Sequence, residues 1–94
     1  MLKISDEFRE MIRDRADIVE IIGKTVALKQ AGQDFVGLCP FHEERTPSFH
    51  VVPSKQFFHC FGCKVGGDVF EFVKLRDKVD FVDAVRILAA EAVE

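Results

Sequence analysis

No stretch of the 94-residue chain approaches the roughly 18 consecutive apolar residues that a spanning helix requires, which excludes a helical membrane protein. Tryptophan and tyrosine are missing, so ten phenylalanines carry the aromatic content. With hydrophobic residues at 48%, that is ample for a packed core and excludes a disordered chain. Cysteine is scarce and odd in number; three thiols cannot all pair within one chain. The opening segment MLKISDEFREMIRDRAD carries charges throughout, unlike a secretion signal, so a reducing cytoplasm is the expected setting. A basic excess is lacking too. The formal net charge is −3, which removes the simplest argument for a nucleic-acid binder. Repeats, low-complexity segments and internal linkers are also absent.

What is present is unevenly distributed. Met1 to Ile22 holds six acidic residues, and Asp68 to Glu94 holds seven against four Lys or Arg. Between Gly23 and Gly67 the balance reverses, with Lys24, Lys29, Arg45, Lys55 and Lys64 facing only Asp34, Glu43 and Glu44. A chain this short allows one domain, spanning 1–94, that buries too little apolar surface to be stable unaided, so a staple is expected.

Local patterns predict the elements. Ser5 is placed to cap a helix carrying Phe8, Met11 and Ile12, and Asp17 with Glu20 forms a capping box for a second helix that Gly23 ends. TVALKQAGQDFVGL reads as two strands turning near Ala31 and Gly32, and SFHVVPSKQFFHC as two more turning at Pro53 and Ser54. After Gly66 and Gly67, Asp68 caps a helix bearing Val69, Phe72, Val73 and Arg76, and Asp80 caps one bearing Phe81, Ala84, Val85 and Leu88. The expected fold is small α+β: a stapled ribbon with a central antiparallel sheet of about four to five strands, flanked by two short N-terminal and two C-terminal helices. Its parts are a helical lead-in over 1–23, the ribbon over 24–67 and a helical part over 68–94.

The staple is legible in two ligand pairs, Cys39 with His42 and Cys60 with Cys63, each separated by two residues, with a 17-residue spacer long enough for a hairpin. Two intervening residues let both side chains of a pair converge on one ion. Thiolates are soft anionic donors, imidazole supplies a neutral fourth, and a full tetrahedron leaves no open position for substrate. One structural Zn2+ in a Cys3His site is the expected cofactor, which makes the fold a zinc ribbon. Pro40 and Gly62 suit the tight backbone of the two knuckles. CFGC could instead be a redox pair, but there the first cysteine opens a helix, and Lys64 to Gly67 delays any helix here. His50 and His59 are weaker ligands: strand alternation sends His59 to the face opposite Cys60, and His50 has no cysteine at knuckle spacing.

A structural ion gives stability without function, so function must lie on what the ribbon displays. Phe35, Phe49, Phe57, Phe58 and His59 are candidates for an aromatic platform on which unpaired bases stack. Lys29, Arg45, Lys55 and Lys64 would meet phosphates, and Thr46 would supply a hydroxyl donor in the EERTPSF loop. Each phenylalanine is equally a core candidate, and Arg45 is equally placed to pair with Glu43 or Glu44. KVGGD is expected to be a tight turn into the helix rather than an anion site, since the Asp68 carboxylate already occupies the positive end.

The stretch FVGLCPFHEERTPSFHVVPSKQFFHCFGCKVGGDVFEFV, with ADIVEIIGKTVALK before it and DFVDAVRILA after it, resembles the N-terminal zinc-binding domain of bacterial DnaG-type DNA primases. The likeness covers nearly the whole chain. It rests on the Cys-Pro-x-His and Cys-x-Gly-Cys knuckles joined through Thr-Pro-Ser-Phe, and it implies Cys39, His42, Cys60 and Cys63 as the metal ligands. It further implies a bacterial, cytoplasmic module that recognises single-stranded template DNA and helps a separate polymerase core, in cis or in trans, begin RNA primers. The replicative helicase would be an indirect partner through the longer protein of which this chain is the N-terminal piece. Catalysis of nucleotide joining is not expected from this chain. Relatives often carry extra basic residues at the first hairpin turn, where this chain reads LKQAGQDF; few phosphate contacts imply weak intrinsic affinity. Two other readings compete: a module that docks on the primase core through acidic helices or the apolar sheet face, and a redox-sensing zinc switch in which Cys60 and Cys63 oxidise.

Overall fold

Aspartates set where three of the four helices begin. In the computed structural model, which describes residues 6–93 and side chains as far as residue 91, helix α1 spans Asp6–Arg15 and α2 Ile18–Gly23. The Asp17 carboxylate accepts the Val19 and Glu20 amides at 3.0 and 3.3 Å, which supplies the N-cap of α2. Only that half of the expected capping box forms, with no return bond from the Asp17 amide to the Glu20 carboxylate among the described residues. Asp68 takes the Glu71 amide at 3.0 Å to open α3 (Val69–Asp77), and Asp80 takes the Asp83 amide at 2.9 Å to open α4 (Phe81–Val93). Ser5, the expected cap of α1, lies outside the described residues. No helix among the described residues is long and apolar enough to cross a membrane.

The sheet is a five-stranded antiparallel meander in the order β1 (Lys29–Ala31), β2 (Asp34–Gly37), β3 (Phe49–Val52), β4 (Phe57–Cys60) and β5 (Gly66–Gly67). The fold class expected from the patterns is therefore the one adopted. Two details differ. The Gly66–Gly67 turn also pairs with β4, Gly67 opposite Phe58 and Gly66 opposite His59. The Pro53–Ser54 turn is one turn of 3-10 helix, Pro53–Lys55, closed by Gln56 at φ 55°.

Register decides which side chains share a face. Phe35 stands opposite Val51 and Val51 opposite Phe58, while Gly37 stands opposite Phe49 and Phe49 opposite Cys60; these rows turn toward the helices. The alternate row, Lys29, Val36, His50 and His59, turns away from them.

Under the inner rows Phe49 and Phe58 stack at 5.3 Å between ring centroids, and Phe72 of α3 stands edge-on to Phe58 at 5.6 Å. Phe41, from the first knuckle, meets Phe72 edge-on at 5.6 Å. Phe49, Phe58 and Phe72 are fully buried, each stabilising the fold by about 1.5–3 kcal/mol through burial. On α1 Ile12 is fully buried, while Phe8 and Met11 are partly exposed, so the apolar face expected there is split. Arg13 links α1 to the α3 cap through a 3.0 Å ion pair with Asp68, its guanidinium lying over the Phe70 ring.

Candidate metal centre and nucleic-acid face

The first knuckle leaves the end of β2 and the second follows directly from β4, so the β2–β3–β4 register brings them to one end of the sheet. Cys39, His42, Cys60 and Cys63 present ligand atoms that all lie within 4.8 Å of one another. A tetrahedral zinc with Zn–S bonds of about 2.3 Å and a Zn–N bond of about 2.0–2.1 Å demands sulfur–sulfur edges of about 3.8 Å and sulfur–nitrogen edges of about 3.6 Å. The Cys39 and Cys63 sulfurs are 3.7 Å apart, and the Cys60 sulfur is 3.9 Å from His42 Nδ1. The donors therefore fit one zinc ion in a Cys3His site, and the two knuckles have the geometry that their spacing predicted.

The thiols differ before any ion binds. Burial pushes the Cys39 thiol up to about 12, against the pull of the Phe41 amide at 3.4 Å. Burial also works against the Cys60 thiolate, but the Cys63 and Gly62 amides outweigh it and bring that thiol below its ordinary value. The metal supplies the positive charge that makes three adjacent thiolates compatible.

Gly62 is needed for a reason other than backbone freedom. The His42 imidazole lies directly over it, and a Cβ there would come within 2.8 Å of Nε2. The residue after the second knuckle is the strained one: Lys64 has φ 69°, which re-aims the chain into β5 and keeps Cys60–Cys63 off any helix N-terminus.

Glu44 is the functional residue that sequence reasoning missed. Its Oε1 lies 3.1 Å from His42 Nε2, and its Oε2 accepts the Cys39 amide at 2.8 Å and the Ser48 amide at 3.1 Å. The Cys39 amide, opposed by desolvation and aided by Ser48, holds its carboxyl below the usual carboxylate range. It is therefore not a partner for Arg45, which is exposed and outside every ion pair among the described residues.

The candidate platform residues separate into two groups. Phe49 and Phe58 are fully buried, because they share the inward rows with Cys60 and Val51, so neither offers a face to a base. Phe35 belongs to the same side and packs, half-buried, against the core. These three are corrections to the expected platform. Phe57 and His59 do turn outward, half-buried, on the opposite side of the sheet from Cys60. Beyond them Phe61, at the tip of the second knuckle, is 58% exposed, with its ring edge-on to His50 at 4.8 Å and to His59 at 4.7 Å. The signal that could have found it is partial: residues between paired ligands point away from the ion, which leaves them exposed, as Phe61 is, or packed on the core, as Phe41 is.

Phe57 and His59 on β4 and Phe61 just beyond it thus give an outward aromatic strip, with the His59 and Phe61 rings 4.7 Å apart. Lys29, Lys55, Lys64, Arg45 and Thr46 are exposed, and none of the four cations is in an ion pair among the described residues.

A family model described as the CHC2 zinc finger matches residues 4–93. The DNA primase of Listeria monocytogenes is 52% identical over 89 residues, which is 95% of this chain and 14% of that protein. That of Geobacillus stearothermophilus is 51% identical over 90 residues, covering 96% of this chain and 15% of the relative. The chain thus spans about a seventh of the length of the curated relatives it matches. Among solved structures, the crystal structure of the Aquifex aeolicus primase, comprising its zinc-binding and RNA polymerase domains, superposes with a TM-score of 0.85 at 42% identity. That match covers 95% of this chain and 22% of the other.

Proposed function

Because the chain belongs to the CHC2 zinc-finger family and is the zinc-binding domain of a bacterial DNA primase, we propose that its outward sheet face reads single-stranded template DNA for primer initiation. The observation that carries this reading is Phe61: a largely exposed ring, held between two histidines, on a knuckle that the zinc makes rigid. Bases of any identity stack on such a ring, and Phe57 and His59 extend the platform. Lys29, Arg45, Lys55 and Lys64, exposed and in no ion pair among the described residues, supply phosphate contacts. Cys39, His42, Cys60 and Cys63 hold the zinc as scaffold, and the closed donor set gives it no catalytic position.

So few cations imply weak binding by the module itself. Occupancy then comes from tethering beside a polymerase core, of the same molecule or a neighbour, where effective concentration replaces affinity. The helical lead-in, ribbon and helical tail work in this reading as one domain of a longer primase. Nucleotide joining belongs to that core, and contact with the replicative helicase belongs to the longer protein.

Docking on the core is the second reading, and one observation favours it. Leu38, half exposed, lines a shallow groove with Val36, Pro40 and Pro47 beside the first knuckle. A chemical-shift map of the zinc-loaded chain, titrated with short single-stranded oligonucleotides of varied sequence, separates the two. The template reading expects Phe57, His59, Phe61 and His50 to respond, whereas silence there combined with shifts at Leu38 on adding polymerase core supports docking only.

A further inference from the structure

We propose that Glu44 is the positioning residue of the zinc centre: by accepting the Nε2 proton of His42 it selects the imidazole tautomer that presents Nδ1 to the ion, and through Ser48 it fastens the first knuckle to the second. The Glu44 side chain is only 9% exposed, a rare setting for a carboxylate unless its oxygens are occupied. Here they are, with separate tasks. Oε1 faces Nε2 of His42 at 3.1 Å, while Oε2 takes the amides of Cys39 and Ser48 at 2.8 and 3.1 Å.

A neutral imidazole carries one proton. Placing an acceptor against Nε2 puts the proton there and leaves the Nδ1 lone pair directed at the sulfurs, 3.9 Å from that of Cys60. A metal-bound histidine held in this way is a better donor, because its ring is already oriented. Gly62 makes room for the arrangement: a Cβ on it would stand 3.2 Å from Glu44 Oε1 as well as 2.8 Å from Nε2.

The same carboxylate reaches beyond the first knuckle. The Ser48 carbonyl accepts the Phe61 amide at 2.9 Å, so a continuous path runs from His42 through Glu44 and Ser48 to the tip of the second knuckle. The Glu43–Ser48 loop is in this sense part of the metal site.

Glu44→Gln is the discriminating variant. It keeps the shape and one carbonyl oxygen, which can serve the two amides or the imidazole but not both. Competition for zinc against a chromophoric chelator should show Glu44→Gln and Glu44→Ala binding about 10–100-fold more weakly than the parent chain. Nitrogen spectra of the zinc-loaded parent should show His42 protonated at Nε2, with that proton exchanging faster in Glu44→Gln. A purely structural staple would leave the ring proton unchanged. Zinc affinity of Glu44→Gln within about twofold of the parent, or a parent His42 protonated at Nδ1, overturns the proposal. Should Glu44→Ala fail to fold, Glu44→Gln and the parent spectrum still decide. Neither measurement involves DNA, so the outcome is independent of the template reading.

Discussion

Gly62 lies beneath the His42 ring so closely that a single added methyl would meet Nε2 at 2.8 Å and Cε1 at 3.0 Å. The imidazole can shift away only by giving up its contact with Glu44 or its place among the zinc donors. Gly62→Ala should therefore displace a ligand rather than simply crowd a loop. A destabilisation of about 1–3 kcal/mol is expected from such overpacking, measured as a fall in the unfolding midpoint of the zinc-loaded chain. Zinc affinity should weaken in parallel, and an unaltered affinity would mean that the second knuckle can shift as a unit.

Two phenylalanines make a matched contrast. Phe72→Ala removes a ring that touches Phe41, Phe49 and Phe58, and should destabilise by about 3–5 kcal/mol. Phe61→Ala removes an exposed ring and should leave denaturant unfolding within about 0.5 kcal/mol of the parent. On single-stranded DNA the order reverses, with Phe61→Ala losing about 1–3 kcal/mol of stacking. Equilibrium unfolding and oligonucleotide binding of both variants provide the check.

Metal loading should release protons. With its thiol pushed up to about 12 by burial, Cys39 is protonated at neutral pH in the metal-free chain. Zinc binds only the thiolate, so that proton must leave. The sign follows: apparent zinc affinity rises as pH rises and falls as pH falls. Calorimetric titration at neutral pH in buffers of different ionisation enthalpy should find at least one proton released per zinc. Chelation should remove the ion with loss of the native β3–β4 register, because the ligands close the only end of the sheet where both knuckles meet.

The metal ligands were legible because their geometry is local: two residues between donors determine whether both can reach one ion, whatever the remaining chain does. Strand alternation likewise placed His59 opposite to Cys60. The same parity sets Phe58 on the side of Cys60, against its place among the platform candidates. Phe49 is not set in this way, because only the cross-strand pairing with Cys60 reveals its side. Glu44 was hidden for a related reason: its role depends on where the Cys39 and Ser48 amides point, which is a property of the closed loop and not of the residues flanking Glu44. β5 escaped notice because two glycines have no side-chain pattern to read; their strand character comes from pairing with Phe58 and His59.

Salt dependence offers the sharpest measure of how the ribbon holds a template. Each phosphate neutralised on a single strand contributes about −0.7 to the slope of log K against log salt. Lys29, Arg45, Lys55 and Lys64 together can thus produce a slope no steeper than about −3. Replacing any one with alanine should make it shallower by about 0.7 if that residue meets a phosphate, while affinity for all sequences falls alike. Lys29 is the informative case. It shares the outward row with His50 and His59 but stands two strands away from His50, on the edge strand. If Lys29→Ala leaves the slope unchanged while Lys64→Ala lowers it, the strand of DNA runs along β4 and over the second knuckle. If both lower it, the strand crosses the sheet from β4 to β1, and base stacking on Phe61 and phosphate contact at Lys29 belong to different nucleotides.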